Sequence, residues 1–77
     1  ALSKSLQKAT QMVLSHEMDA KYIIEEMNKI LIGVDSIEYI AITDRGLKQI
    51  ESVVVGNTVI LVAAWVGQTR LIDNIWI

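Results

Sequence analysis

The sequence has no cysteine, no proline, a single histidine, four glycines and no long hydrophobic run. Without cysteine there is neither a disulfide framework nor a cysteine–zinc scaffold. One histidine, His16, excludes a two-histidine metal site. Placed on a loop beside Glu17 and Asp19, it reads as solvated rather than ligating. The glycines at 33, 46, 56 and 67 stand singly, so none builds a phosphate-cradling loop. Seven basic residues against nine acidic ones leave a formal charge of −2, and no cationic field for a nucleic-acid partner. The longest apolar run, Val59 to Val66, has eight residues. A membrane-spanning helix takes about 18, so no membrane partner is expected.

What is present is apolar. Of 77 residues, 52% are hydrophobic and 21% charged, with a mean hydropathy of +0.39. High apolar content with low net charge excludes disorder. A chain of this size buries only about 60% of the surface its unfolded form exposes, so part of the apolar excess is expected to face something else. No internal repeat, low-complexity tract or linker divides the chain, and residues 1–77 read as one domain. The chain opens at Ala1, with no initiator methionine and no cationic-then-apolar signal segment. Processing, or excision from something longer, is the expectation. The absence of cysteine fits a cytoplasmic origin.

Leu2, Leu6, Ala9, Met12 and Val13 recur at helical spacing, with Lys4, Ser5, Lys8 and Gln11 on the other side. Ser15 to Met18 breaks the pattern, and Asp19 is placed to cap a second helix. There Ala20, Ile23, Ile24, Met27, Ile30 and Leu31 repeat the spacing, with Glu25, Glu26 and Lys29 outside. Glu25 and Lys29 stand four apart, in the order that favours a weak pair. Gly33 follows as a C′ glycine at positive φ.

From Ser36 the period shortens. Ile37 to Thr43 is β-branched and aromatic, and Asp44-Arg45-Gly46 supplies a turn with the glycine at positive φ. Leu47 to Val55 is ambiguous and leaves room for a short extra edge strand. Gly56-Asn57 turns again. Thr58 to Trp65 is apolar on both alternating faces, which suits the centre of a sheet. Gly67-Gln68 then makes a hairpin, with Arg70 to Ile77 returning. The order predicts an α+β domain: two N-terminal helices packed on a small three-stranded antiparallel sheet that ends in a β-hairpin.

Catalytic patterns are missing. No serine sits in a nucleophile elbow. Glu25 and Glu26 diverge on their helix, and Asp35, Glu38 and Asp44 read as a solvated acidic rim. The unusual polar stretch is Arg70 to Asn74, set into an apolar terminal strand. Arg70 and Asp73 are read as fixing the hairpin, or Arg70 as facing an anion or a partner carboxylate. Trp65 and Trp76 suit core or interface anchors better than a cofactor platform. Trp65, Gly67, Arg70, Asp73 and Asn74 are therefore the structural or domain-interface candidates. No catalytic, cofactor-binding or metal residue is nominated.

The run Val59 to Asn74 resembles the C-terminal signature of the pantothenate synthetase family, the pantoate–β-alanine ligases. There an apolar strand ending in Ala-Ala and a large residue precedes Gly-x-x-Arg-Leu-Ile/Leu-Asp-Asn, matched here by Ala63 to Asn74. Tyr39 and Asp44 resemble the family's Tyr-x-x-x-x-Asp strand, and Ala1 to Leu6 its first C-domain helix.

The resemblance implies a cytoplasmic, usually dimeric parent enzyme that uses ATP and magnesium. The parent activates pantoate as an acyl adenylate and joins it to β-alanine. It also implies a Rossmann-like nucleotide-binding domain as this segment's partner, with residues 1–77 forming the C-terminal lid that closes over the site. The family's His-x-Gly-His and Ser-Ser-Arg-Asn segments do not occur in these 77 residues. No catalytic residue transfers, and the segment alone is expected to be inactive, with no cofactor bound. The alternative is an autonomous binding or homo-oligomerisation module whose apolar sheet pairs with a copy of itself. A small enzyme in its own right fits the residues least well.

Overall fold

Helical spacing sets the first contacts. The computed structural model describes residues 2–77, and the reading of Ala1 as an excision point lies outside them. Helix α1 (Leu2–Leu14) buries Leu2, Leu6, Ala9, Met12 and Val13 along one side. Ser5, expected on the outer side, is fully buried as well. Its hydroxyl donates to the Leu2 carbonyl at 2.7 Å, which removes the cost of an unpaired polar group in the core. The helix then ends in a Schellman arrangement. The Glu17 N–H donates to the Met12 carbonyl at 2.8 Å and the His16 N–H to that of Val13 at 3.0 Å, with His16 itself at φ 68°.

Helix α2 (Ala20–Ile30) starts where an acid can satisfy its free amides. Asp19 Oδ1 accepts from the Lys21 N–H at 3.0 Å and the Tyr22 N–H at 3.4 Å. Ala20, Ile23 and Met27 are buried, and Ile24 and Ile30 are half-buried. Gly33 does not take the left-handed C′ position. The helix tightens instead into a 3₁₀ turn over Leu31–Gly33, which satisfies its last carbonyls through the Leu31 and Val34 N–H groups.

Strands β1 (Ser36–Thr43), β2 (Val59–Val66) and β3 (Thr69–Trp76) form one antiparallel sheet in the order β1-β2-β3. The doubly apolar segment is central, as its pattern predicts. The domain is α+β, two helices followed by a three-stranded sheet that ends in a hairpin. Ile42, Ile60, Val62 and Ala64 share one face and form a single core with the inner sides of both helices. Ile23, Met27, Leu31 and Ile60 are the largest fully buried apolar side chains in it, each contributing roughly 1.5–3 kcal/mol through burial.

Residues 44 to 58 depart from expectation. Asp44 Oδ1 accepts from Gly46 and Lys48 at 2.8 and 3.0 Å, but the positive φ falls on Leu47 (65°) rather than Gly46. No edge strand forms. The segment makes two isolated bridges, Thr43 with Gln49 and Asp19 with Ser52, and acts as a strap. Its Glu51 carbonyl accepts from the Ala20 N–H, and its Val53 N–H donates to the Met18 carbonyl at 2.8 Å. The strap thus ties the helix connection to the sheet and buries Val53 in the core. Thr58, fully buried, closes it: Oγ1 accepts from the Val54 N–H at 2.9 Å and donates to the Val54 carbonyl at 2.7 Å.

Candidate functional site

The β2–β3 hairpin carries the candidate residues. Val66 pairs with Thr69, leaving Gly67-Gln68 as a two-residue loop with Gly67 at φ 60°. That geometry belongs to a primed turn with glycine at its first central position. Asp35 holds the loop from outside: its Oδ2 accepts from the Gly67 N–H, and its own N–H donates to the Trp65 carbonyl at 2.8 Å. Asp73, expected to fix the hairpin, lies well along β3 instead. Its Oδ1 accepts from the Asn74 N–H at 2.8 Å.

Arg70 stands directly opposite Trp65, and its Nε lies 2.7 Å from Glu38 Oε2. Glu38 is the unpaired residue where the β1–β2 register shifts between Ile37 and Tyr39. The irregularity lets a β1 acid reach a β3 guanidinium across β2. The acidic rim read from the sequence is therefore not merely solvated. Asp35 grips a hairpin, Glu38 pairs with Arg70, and Asp44 builds a turn. No local pattern marks the first two roles, because both partners lie 32 residues away in sequence.

Trp65, Gly67 and Arg70 come together at the hairpin end, whereas Asp73 and Asn74 sit further along β3 on opposite faces. Asp73 is paired in register with core-facing Val62. With its neighbours Asn74 and Ile75 it lines a cleft of about 440 Å³ between α1 and β3, against Ser3, Leu6, Gln7, Thr10 and Gln11. Asn74 pairs with Leu61 on the other face.

Among the described residues no helix lies over that other face. In register across the strands it presents Thr43–Val59–Trp76, Ala41–Leu61–Asn74, Tyr39–Ala63–Ile72 and Ser36–Trp65–Arg70. Ile72 and Trp76 are 56% and 57% exposed. The Arg45 guanidinium lies 5.4 Å from the centre of the Trp76 ring, a cation–π contact at the opposite end from Arg70.

Elsewhere, Lys29 pairs with Glu26 at 2.6 Å rather than with Glu25. Its hydrogen bond and charge hold the Glu26 carboxyl below the usual carboxylate range, and Glu26 in turn raises the Lys29 ammonium. His16 is exposed at the end of α1. Among the described residues no three His, Cys, Asp or Glu side chains converge, and no helix is long and apolar enough to cross a membrane. The four glycines occupy separate turns, so no run of amides is presented to a phosphate. No chemical step is assigned to these residues.

The family model described as pantoate-beta-alanine ligase matches residues 1–76. The pantothenate synthetase of Campylobacter concisus is 51% identical over 76 residues, covering 99% of this chain and 28% of that protein. The pantothenate synthetases of Campylobacter hominis (50%; again 99% and 28%) and Wolinella succinogenes (43%; 99% and 27%) are similar over the same length. The chain thus spans little more than a quarter of the curated relatives it matches. A hairpin built around Ala63 to Asn74 and a family match running almost end to end agree: the chain belongs to the pantoate–β-alanine ligase family.

Proposed function

We propose that this chain is the C-terminal lid segment of an ATP-dependent ligase that condenses pantoate with β-alanine to give pantothenate and AMP. The observation that carries the reading is the family match across 99% of the chain to pantothenate synthetases more than three times its length. The segment's own share of the work is mechanical. An activated acyl group is lost to hydrolysis unless water is kept out, and a small rigid domain that closes over the site does this without supplying a reacting group. The fold supports that role through its tied parts. Asp35 clamps the hairpin, the strap locks the helix connection to the sheet, and Glu38 joins β1 to β3, so the domain can move as one body.

The test is an assay of AMP release dependent on pantoate, β-alanine and ATP, run on the full-length ligase chain and on residues 1–77 alone. The full chain is expected to turn over and the segment to give none. Adenylate formation by the segment would overturn the lid assignment, and a full chain without pantoate-dependent AMP release would overturn the ligase reading.

A further inference from the structure

We propose that Asp73 guards the outer edge of β3 and keeps it from adding the same edge of a second copy of the protein; the inference rests on the strand and not on the ligase reading. The sheet order leaves β3 with β2 on one side and, among the described residues, no strand on the other. The phase of the ladder fixes which amides are free. The Ile77 N–H donates to the Thr58 carbonyl at 2.8 Å, and successive residues of an antiparallel strand alternate between bonding the neighbour and facing away from it. Thr69, Leu71, Asp73 and Ile75 therefore bond β2, whereas Arg70, Ile72, Asn74 and Trp76 turn their backbone groups outward.

Such an edge is a template for another strand unless something blunts it, and most of the usual means are missing. β3 contains no proline and no lysine, and its register with β2 runs unbroken over eight pairs, so no bulge bends it away. Arg70 is drawn back across β2 to Glu38. Ile72 and Trp76, 56% and 57% exposed, are of the β-branched and aromatic types that favour pairing. On the other side of the sheet the strap already occupies part of the β1 edge, where the Ile50 N–H donates to the Ile42 carbonyl.

Asp73 is the remaining defence, and it acts twice. Its Oδ1 accepts from the Asn74 N–H at 2.8 Å, which withdraws an outward amide near the middle of the edge. Antiparallel self-pairing must set outward residues opposite outward residues. The register of greatest overlap places Arg70 opposite Trp76 and Ile72 opposite Asn74. It needs the withdrawn amide, and it also sets the two Asp73 side chains directly opposite one another, where like charges repel. A shift of two residues pairs Asn74 with Arg70 in one direction and with its own copy in the other. Both again require the amide that Asp73 holds.

The test is made on the full-length protein, by light scattering over a series of concentrations and by amide exchange at Asn74. Asp73→Ala removes both the acceptor and the charge. Its Asn74 amide is expected to exchange about three- to tenfold faster than in the unmodified protein, the factor for losing one exposed charge-assisted bond. Its mass is expected to rise with concentration where that of the unmodified protein stays constant. The double variant Asp73→Ala/Asn74→Pro separates edge pairing from a loss of folding. The Asn74 N–H bonds nothing in β2, so proline there leaves the β2–β3 ladder whole while blocking the outer edge. The double variant should return to the mass of the unmodified protein. An Asp73→Ala protein that keeps the unmodified mass at every concentration, or the unmodified exchange rate at Asn74, would overturn the guard. So would association that persists in the double variant, which would trace it to another surface.

Discussion

Glu38 on β1 and Arg70 on β3 meet at 2.7 Å across an intervening strand, and they do so because β1 is irregular at Glu38. Both side chains remain more than a third exposed. An exposed pair of this kind contributes about 0.2–1 kcal/mol and is screened by salt. Glu38→Gln is therefore expected to lower thermal stability only slightly at low ionic strength and not at all in about 1 M salt. A large, salt-independent loss would show that the irregular stretch of β1 itself had collapsed.

His16 occupies the left-handed C′ position that closes α1, at φ 68°. A residue with a Cβ is strained there, and glycine is not. The side chain is exposed, so removing it sacrifices no packing. His16→Gly is expected to raise stability by about 0.5–1 kcal/mol, read as an upward shift of the urea midpoint. His16→Val, whose β-branch resists this conformation, should move it the other way. A glycine variant less stable than the parent would contradict the reading.

These two sites show where sequence reasoning reached and where it stopped. The spacing of Leu2, Leu6, Ala9 and Val13 and the doubly apolar run from Val59 carry their own period, so the helices and the central strand are legible. Ser5 is buried although its polarity points outward, because a hydroxyl that bonds its own helix carbonyl behaves as a small core residue. The strap is invisible for a different reason. Val53 and Thr58 are held by bonds to Met18 and Val54 inside an aperiodic segment, and no repeat of two or 3.6 announces them. Of the candidate site, Trp65, Gly67 and Arg70 were findable as a dense polar and aromatic group. Their partners Asp35 and Glu38 were not, since register alone brings them near.

The pair Glu26–Lys29 sets a pH window. The Glu26 carboxyl titrates below its ordinary range in the folded chain, chiefly through the hydrogen bond to Lys29. Its contribution is complete above the range of an unfolded glutamate and is lost as pH falls through the lowered value. Lys29 is raised, so its contribution is complete below the ordinary lysine range and fades as pH rises through the raised value. Glu26→Gln should therefore be less stable than the parent near neutrality, and the two unfolding curves should converge in acid. The gap is expected to be small, because the Lys29 side chain is 73% exposed. Curves that diverge on acidification would contradict the assignment.

Asp35 and Gly67 join the entry of β1 to the hairpin, and each residue is needed for a separate reason. The Gly67 N–H donates to a carboxylate, a charge-assisted bond that contributes about 1.5–3 kcal/mol where well formed. Gly67 also sits at φ 60° with nothing within 4 Å of where a Cβ would stand, so Gly67→Ala is penalised by backbone strain alone, about 1–2 kcal/mol. Asp35→Ala removes the acceptor and frees the turn. It should speed amide exchange at Gly67 and along the hairpin end of β3 while leaving α1 protected, because α1 lies against Asp73 to Ile75, away from the hairpin loop. Asp35→Asn keeps a carbonyl acceptor and should recover part of the protection. Exchange at Gly67 that is unchanged in Asp35→Ala would mean the turn stands by its own conformational preference, and the clamp would have no part in holding Trp65 and Arg70 in register.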